Sequence, residues 1–528
     1  MNINVYCQGH DYTHDIENIL HLFFEEVEAE FYMETGTDDK PKDKTGDKSY
    51  LGDKSYLIVH LTGKNPVKAS VVYCEEGGEA ITTSHEQATD AVADEKEWRK
   101  MAKRTMNYAI LKALEQSTGI IQPWGILTGI RPTKLLHTML HNGISQEEAH
   151  RVLLEERLVT GEKVTLLQSI VDRQLQVIPD LHELNEKEVS IYIGIPFCPT
   201  KCAYCTFPAY SIQGQQGSVE QFLTGLRYEV KEIGNWLRKS GLGVTTVYFG
   251  GGTPTSITAE QMDAVFESMY AYFPYMERVR ELTVEAGRPD TITPDKIEVM
   301  KKWKTDRISI NPQSFTQDTL DIIGRHHTVA ETVEKYHLAK EKGLDNINMD
   351  LIIGLPGEMR GELLNSLKSI GALRPASLTV HTLSFKRASA MTKNREKYNV
   401  ADREEIGYMM EMARQWTAEH GYVPYYLYRQ KNILGNLENV GYSFPGQESL
   451  YNIVIMEEKQ TIIGLGCGAV SKLIQPGTEK LTRWPNPKDP RSYIEAYEKL
   501  TQAKIAVLDE LYSRAMHSLT KTVERVNI

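Results

Sequence analysis

The sequence predicts an α/β protein built around six βα units, which suit a partial (β/α)6 or a full barrel, with an N-terminal α+β extension and a C-terminal, mainly helical domain. Between residues 186 and 395, short apolar runs alternate with longer segments of helical periodicity, which is the pattern of βα units and a parallel sheet. Before this region strand-like and helix-like segments are mixed, and after it the alternation fades. The predicted domains are therefore residues 1–185, 186–395 and 396–528.

Six strands are expected in the barrel, and helices are expected between them. The apolar runs of these strands are Ile191–Ile195, Thr246–Phe249, Leu282–Glu285, Arg307–Ile310, Ile347–Ile353 and Leu378–Leu383. The helical periodicity in this region covers Val219–Lys239, Ala259–Tyr272 and Val329–Lys342. Outside the barrel, strands are predicted at Tyr56–Leu61 and Ala69–Tyr73, and helices at Glu95–Leu114, Arg403–His420, Ser492–Gln502 and Asp509–Val523. The repeated pentapeptide Gly-Asp-Lys-Ser-Tyr at 46–50 and 52–56 is interpreted as part of a polar loop.

Composition restricts the class of protein. The chain has 528 residues, so two or three domains are expected. The formal net charge of −11 argues against nucleic acid as the main partner. A membrane span and a signal peptide are not expected, because the sequence has neither a long apolar run nor a basic segment followed by an apolar core near Met1. We expect a cytoplasmic monomer.

Three of the six cysteines form a motif in the loop after the first barrel strand. Cys198, Cys202 and Cys205 have the spacing C-x3-C-x2-C. In βα barrels the chemistry lies in the loops that follow the strands, so the three thiols are expected at the active-site face. Three thiolates can hold three irons of a four-iron cluster and leave the fourth iron open for a ligand. A structural zinc site usually needs a second close pair of ligands, and the sequence offers none.

Other motifs follow the later strands. Gly250–Thr255 is rich in glycine, so its backbone amides could approach the amino or carboxylate end of a bound amino acid. Glu285 ends a strand, where its carboxylate could accept hydrogen bonds from an amine or a ribose. Asp350 lies inside an apolar strand and therefore needs a partner or a role. Gly464–Ala469 lacks the full dinucleotide-binding spacing and is interpreted as a close-packed turn.

In these residues the sequence resembles the oxygen-independent coproporphyrinogen III oxidase family of radical S-adenosylmethionine (SAM) proteins. The resemblance extends from about residue 188 to past residue 471 and rests on an ordered set of motifs. The N-terminal motif Leu127–Lys134 is similar to the HemZ-like subgroup, which is related to HemN and HemW. The shared motifs are Tyr192–Cys198, Cys202–Phe207, Gly250–Thr255, Val284-Glu285, Arg307–Phe315, Gly324–His326, Asp350–Gly357 and Gly464–Ala469.

The resemblance implies two cofactors, a [4Fe–4S] cluster and SAM. The cluster ligands would be Cys198, Cys202 and Cys205. Tyr192, Glu285 and Arg325 would be catalytic. The residues implied to contact SAM are Tyr192, Gly251, Gly252, Thr253, Glu285, Gln313, Arg325 and Asp350.

The implied reaction is an oxidative decarboxylation in haem biosynthesis. A radical derived from SAM abstracts a hydrogen from a propionate of coproporphyrinogen III, and loss of carbon dioxide and an electron leaves a vinyl group. The implied partners are this tetrapyrrole, or haem, and an electron donor of the flavodoxin or ferredoxin type.

Two departures from the family pattern leave alternatives open. Phe207 stands where the authentic oxidases carry a fourth cysteine, and Gly194 stands where a histidine is common. The related haem-chaperone branch also lacks the fourth cysteine. The chain could therefore be a haem-binding chaperone, or a radical SAM enzyme that acts on another tetrapyrrole or on an unrelated substrate. Candidate haem ligands are His326, His327, His381 and Cys467, and candidate contacts to propionates are Arg325, Lys386, Arg387 and Arg429.

Overall fold

The computed structural model consists of two compact units, Met1–Gln168 and Ser169–Ile528. It describes residues 1–24, 26–34, 54–88, 94–129, 131–207, 209–213, 216–386, 389–431 and 433–526. The first copy of the repeated pentapeptide lies outside these residues, as does the start of the second copy. Arg387 also lies outside them.

The first unit contains a five-stranded sheet packed against two helices. Its strands have the order β2-β1-β3-β4-β5. Alternate residues of β1, β3 and β4 are buried and form one core with the apolar faces of α1 and α2. The strands are β1 (Asn2–Gln8), β2 (Glu28–Glu34), β3 (Ser55–Thr62), β4 (Val67–Cys74) and β5 (Ile81–Gln87). The helices are α1 (Thr13–Phe23), α2 (Glu95–Thr118), α3 (Pro132–His141), α4 (Gln146–Arg151) and α5 (Gly161–Val177), which ends beyond the first unit.

The second unit is dominated by an eleven-stranded sheet. Its order is β14-β15-β13-β12-β11-β10-β9-β6-β16-β17-β18, with a separate pair formed by β7 and β8. The strands are β6 (Glu188–Ile195), β7 (Phe197–Cys198), β8 (Tyr210–Ser211), β9 (Gly243–Gly251), β10 (Glu281–Val284), β11 (Arg307–Ser309), β12 (Ile347–Ile353), β13 (Ser377–Thr382), β14 (Val423–Tyr428), β15 (Asn439–Ser443), β16 (Ile462–Gly466), β17 (Val470–Ile474) and β18 (Leu481–Pro485).

The helices of the second unit include those that connect the parallel strands. They are α6 (Gln216–Ser240), α7 (Ala259–Tyr272), α8 (Pro294–Lys302), α9 (Gln317–Ile322), α10 (Val329–Glu341), α11 (Arg360–Leu373), α12 (Ala390–Lys393), α13 (Arg403–Glu419), α14 (Leu450–Glu457), α15 (Pro490–Ile494) and α16 (Tyr497–Val526). Helices α7 and α10 both begin with a capping box, formed by Thr258 with Gln261 and by Thr328 with Glu331. These caps satisfy backbone amides that the first turn leaves without partners.

The six predicted barrel strands are confirmed as β6, β9, β10, β11, β12 and β13. In the sheet these six strands lie side by side in the order in which they occur in the sequence, and neighbouring strands pair in parallel. Their carboxyl ends consequently lie along one edge of the sheet.

Two features of the last part of the chain differ from the prediction. Ser492–Gln502 and Asp509–Val523 do not form separate helices, because α16 runs without a break from Tyr497 to Val526. Strands β14 to β18 extend the barrel sheet on both sides, and β16 pairs in parallel with β6. Short apolar strands of this kind give no periodic signal that distinguishes them from buried loops.

Among the described residues, none of the helices combines the length and the apolar character that crossing a membrane requires.

Candidate active site

A cavity of about 530 Å³ opens at the carboxyl ends of the six parallel strands. Residues at the ends of the strands and in the loops after them line this cavity, as expected for a βα barrel. Residues inside the strands, such as Tyr192 and Arg307, also line it, so the cavity extends into the interior of the barrel. The structure brings all the predicted cluster and SAM residues together there, namely Tyr192, Cys198, Cys202, Cys205, Gly251, Gly252, Thr253, Glu285, Gln313, Arg325 and Asp350.

The three motif cysteines are free thiols in a loop that the rest of the unit holds in place. Cys198 belongs to β7, and its Sγ lies 3.4 Å from the Oγ1 of Thr253. The Cys205 amide donates to the carbonyl of Cys202 at 3.1 Å, which closes the turn between them. Next to this turn, the Ala203 amide donates to the Ile323 carbonyl at 2.9 Å.

The chemistry of these thiols fits an iron–sulfur cluster. Burial raises the pKa of Cys198 to about 11 and also raises the pKa of Cys205, so without a bound metal these two thiols are protonated at neutral pH. Iron would displace these protons, since thiolates are the ligands that clusters require. In the part of the chain that the structure describes, no three side chains are arranged to share one metal ion. A four-iron cluster does not need such a group, because each thiolate binds a different iron.

In the glycine-rich loop after β9, two backbone amides that were predicted to bind a ligand form hydrogen bonds within the protein instead. The amides of Gly252 and Thr253 donate to the carbonyls of Ile195 and Phe197 at 2.7 and 2.8 Å. They are therefore not available to the end of a bound amino acid, and that expectation is wrong for these two groups. A Cβ on Gly252 would lie 2.5 Å from the Phe197 carbonyl oxygen. The glycine is needed because β9 approaches the segment that leads to Cys198.

Glu285 and Tyr248 form a pair on the wall of the cavity. Burial raises the pKa of the Glu285 carboxyl to about 8, and the charge of Asp350 contributes, while a hydrogen bond from Tyr248 and the charge of Arg325 oppose the shift. In the protein without ligand, the carboxyl is therefore mostly protonated at neutral pH. A cationic or hydroxyl ligand that binds its ionised form would have to displace the proton.

We expect the affinity for SAM to rise with pH up to about 8 if Glu285 binds SAM as a carboxylate. Below its pKa, the ionised fraction of a carboxyl grows about tenfold for each pH unit, and the affinity follows this fraction. Equilibrium dialysis with SAM across this range measures the effect, and Glu285→Gln should bind more weakly with no such rise. Glu358→Gln is a matched control, because Glu358 is also buried with a raised pKa of about 7 but does not line the cavity. An unchanged pH profile in Glu285→Gln would contradict the assignment.

Asp350 has the partners that its position in a strand requires. Its Oδ1 accepts a hydrogen bond from the side-chain Nδ2 of Asn348 at 2.8 Å, and its Oδ2 lies 3.5 Å from His381 Nε2. The other ring nitrogen of His381 lies 3.1 Å from the Tyr428 hydroxyl. Burial raises the pKa of Asp350, but the contacts with His381, Asn348 and Thr379 outweigh burial and leave the pKa below its ordinary value. The site thus contains one acid that is neutral and one that is ionised at pH 7.

Arg325 and Gln313 lie where two loops meet. The Arg325 guanidinium donates to the carbonyls of Asn311 and Gly287, and its buried Nε has no partner among the described residues. Gln313 has a φ of 68°, and its backbone bonds with Asp350 and Ile352 hold it in this strained conformation. Its buried side-chain oxygen also has no partner in the described part of the chain. Both side chains therefore keep polar atoms available to a ligand.

The sequence analysis did not identify the aromatic wall of the cavity. Tyr248 and Tyr451 stack with ring centres 4.4 Å apart and ring planes 19° apart, and Tyr192 stacks on both. The Tyr451 hydroxyl is buried and lacks a partner among the described residues. Tyr248 could have been found from its place in a predicted strand beside Tyr192. Tyr451 could not, because α14 reaches the cavity only through the tertiary fold.

The candidate haem ligands and cations separate into two groups. His381, Cys467, Arg325 and Lys386 line the cavity, whereas His326, His327 and Arg429 do not. His326 is exposed, and Arg429 is buried against Asn436. Arg288, Arg307, Lys201 and Lys472 also line the cavity, although the sequence analysis did not select them.

The two departures from the family pattern have different surroundings. The Phe207 side chain is 59% exposed at the cavity, so a large apolar ring stands at the opening. Gly194 is buried where β6 meets β16, and a Cβ there would lie 2.9 Å from the Cys467 carbonyl oxygen. A histidine cannot fit at Gly194 unless the turn after β16 moves.

Comparisons with known proteins show which families and proteins this chain is similar to. Residues 192–370 match the model of the radical SAM superfamily. Over 499 residues, 94% of this chain and 96% of the relative, the chain is 56% identical to the oxygen-independent coproporphyrinogen-III oxidase-like protein HemZ of Bacillus subtilis. It is 29% identical to the heme chaperone HemW of the same organism, over 53% of this chain and 70% of that protein. Among solved structures, it is similar to coproporphyrinogen III oxidase (HemN) from Escherichia coli, with a TM-score of 0.49 and 18% identity over 65% of this chain and 74% of that one.

Proposed function

This chain belongs to the family of oxygen-independent coproporphyrinogen-III oxidase-like proteins that includes HemZ, and from this premise we propose that it decarboxylates coproporphyrinogen III. It is a radical SAM oxidoreductase whose cofactors are a [4Fe–4S] cluster and SAM. The observation that carries the proposal is the cavity itself, where three thiols, an aromatic wall and several cations face one another.

The bound cofactors would supply an electron and the radical that abstracts a hydrogen atom. Cys198, Cys202 and Cys205 would hold the cluster, and the polar atoms of Arg325 and Glu285 would orient SAM. In the overall reaction a propionate would lose one hydrogen atom, carbon dioxide and one electron, and the remaining two carbons would form a vinyl group. The hydrogen atom and the electron together would balance the reductive cleavage of one SAM to methionine and 5′-deoxyadenosine. The cavity walls would keep water away from these steps.

Two lysines at the cavity are suited to bind propionates. Burial raises the pKa of the Cys205 thiol, and the nearby positive charges of Lys201 and Lys386 oppose this rise. Within the described part of the chain, neither amine has a hydrogen bond or an ion pair with an acid. Their positive charges are therefore available to the carboxylates of a tetrapyrrole.

The haem-carrier alternative receives less support from the same cavity. A haem ligand needs an available imidazole nitrogen, thiolate or similar group. Both ring nitrogens of His381 are engaged, by Asp350 and by Tyr428. Burial raises the pKa of Cys467 to about 12, so its thiol is protonated at neutral pH. These groups would have to exchange partners or lose a proton before they bound iron.

The decisive test is an anaerobic assay of the reconstituted protein with SAM, dithionite and coproporphyrinogen III. We expect 5′-deoxyadenosine and a decarboxylated tetrapyrrole to appear together. Deoxyadenosine without a decarboxylated product would keep the enzyme class and reject this substrate. Neither product, with haem retained after gel filtration, would favour a carrier.

We expect the aromatic wall to contribute to tetrapyrrole binding. Tyr451→Leu removes a ring of the cavity wall, and the contact of such a ring with an aromatic ligand would contribute about 0.5–1.5 kcal/mol, or roughly 2- to 13-fold in affinity. Fluorescence titration with coproporphyrin III measures the loss, and Tyr451→Phe should lose less because it keeps the ring. Tyr275→Leu, at a side chain that is 54% exposed and outside the cavity, is the matched control. Equal affinities of Tyr451→Leu and the control would reject the contact.

A further inference from the structure

A buried arginine lies beside one of the three cysteines. Arg288 is 3% exposed, and its Nη1 lies 3.9 Å from the Sγ of Cys202. The same nitrogen donates to the Thr200 hydroxyl at 3.1 Å. The guanidinium is therefore bound to the loop that carries the cysteines and directs one N–H group toward a sulfur.

The orientation of Arg288 is fixed by a carboxylate on its other side. Its Nε donates to Oδ1 of Asp290 at 3.0 Å, and its Nη2 donates to Oδ2 at 3.0 Å. This two-point contact holds the planar guanidinium in one orientation. The Asp290 side chain is 21% exposed, so part of its charge is screened by water while the arginine is almost fully buried.

Opposite charges next to a cluster act on its reduction in opposite directions. Reduction adds one negative charge, and the potential of an iron–sulfur cluster depends on nearby charges and on hydrogen bonds to its sulfurs. A positive charge at the distance of Arg288 favours the reduced form, particularly in a site of low dielectric constant. Asp290 opposes this effect, but it lies on the far side of the guanidinium and is partly hydrated.

We propose that the Arg288–Asp290 pair sets the reduction potential of the cluster, with Arg288 raising the potential and Asp290 limiting the rise. The inference rests on the proposed role of the three cysteines as cluster ligands. Arg288 is a positioning and tuning residue here, because it acts through Cys202 and not on the substrate. The pair would thereby determine which electron donors are able to reduce the cluster.

The test is a redox titration of the reconstituted full chain, followed by electron paramagnetic resonance without substrate. Arg288→Gln removes the positive charge and keeps a side chain that can donate a hydrogen bond. It should lower the ratio of reduced to oxidised cluster at a fixed potential roughly tenfold, which corresponds to about 59 mV for one electron. Asp290→Asn leaves the arginine uncompensated and should shift the ratio in the opposite direction. The double variant should lie between the two.

The matched control is Arg280→Gln, which removes the same charge at the other end of β10. Arg280 forms a similar two-point contact with Asp180, at 2.9 and 2.7 Å. The Arg280→Gln variant should leave the reduction potential of the cluster unchanged. Shifts of the same sign in Arg288→Gln and Asp290→Asn would indicate a general disturbance of the loop and overturn the inference, as would unchanged potentials in variants that bind iron and sulfide normally. Failure of the unaltered chain to bind a cluster would instead refute the assignment of the cysteines, and with it this inference.

Discussion

Cys202→Ser should leave a protein that folds but neither holds an intact cluster nor produces 5′-deoxyadenosine above background. Serine offers a hard hydroxyl that is not ionised at neutral pH, whereas iron in a cluster requires a soft thiolate. If the three motif cysteines are the ligands, as proposed, the loss of one would leave the cluster with two protein contacts. Iron and sulfide content after anaerobic reconstitution measures the first effect, and deoxyadenosine formation measures the second.

Cys467→Ser is the matched control for this loss. Cys467 also lines the cavity and is also a free, buried thiol, but it lies outside the C-x3-C-x2-C motif. It should retain the iron content and most of the activity. If Cys467→Ser lost the cluster while Cys202→Ser kept it, the assignment of the ligands from the motif would be wrong.

Lys504→Ala should destabilise the second unit by about 3–5 kcal/mol, since it removes one partner of a buried ion pair. Lys504 and Glu229 are 0% and 1% exposed, and the amine lies 2.6 Å from the carboxylate. The same carboxylate accepts hydrogen bonds from the Tyr493 hydroxyl at 2.7 Å and from the Gly466 amide at 2.8 Å. Without the lysine, its negative charge would be buried next to hydrogen-bond donors alone.

Calorimetry of the full chain measures this effect as a lower midpoint for the transition of the second unit. Lys504→Met combined with Glu229→Gln should recover part of the stability, because it removes both charges. Arg491→Ala breaks a pair with Glu495 whose side chains are 89% and 62% exposed, and such pairs contribute about 0–1 kcal/mol. A midpoint for Lys504→Ala equal to that of Arg491→Ala would show that the buried pair is not a major contribution to stability.

The buried pair of Lys504 and Glu229 also contacts a strand that leads to the active site. Lys504 donates to the Gly464 carbonyl, and Glu229 holds the Gly466 amide, so both ends of the pair fix the end of β16. The turn that follows places Cys467 on the cavity wall. Gly464 of β16 also pairs with Tyr192 of β6, a residue implied to contact SAM. We therefore expect Lys504→Ala to bind SAM more weakly in equilibrium dialysis, even at temperatures where the variant remains folded.

The sequence by itself determined the barrel strands and the position of the chemistry. Apolar runs that alternate with helical segments indicate a parallel sheet, and consecutive parallel strands place their carboxyl ends at the same edge of the sheet. Residues that follow these strands, such as Cys198 and Glu285, were therefore expected to meet at one edge. Local spacing and strand order were sufficient for this part of the site.

Only the tertiary structure decided what faces these residues across the cavity. Tyr451 reaches the site because Glu281, on β10, accepts hydrogen bonds from the Leu450 and Tyr451 amides and so fixes the start of α14. Arg288 lies against Cys202 because two different loops approach each other. The amides of Gly252 and Thr253 are occupied because β9 lies against the cysteine segment. Such contacts depend on the packing of distant segments, and no local pattern in the sequence encodes which surfaces will meet.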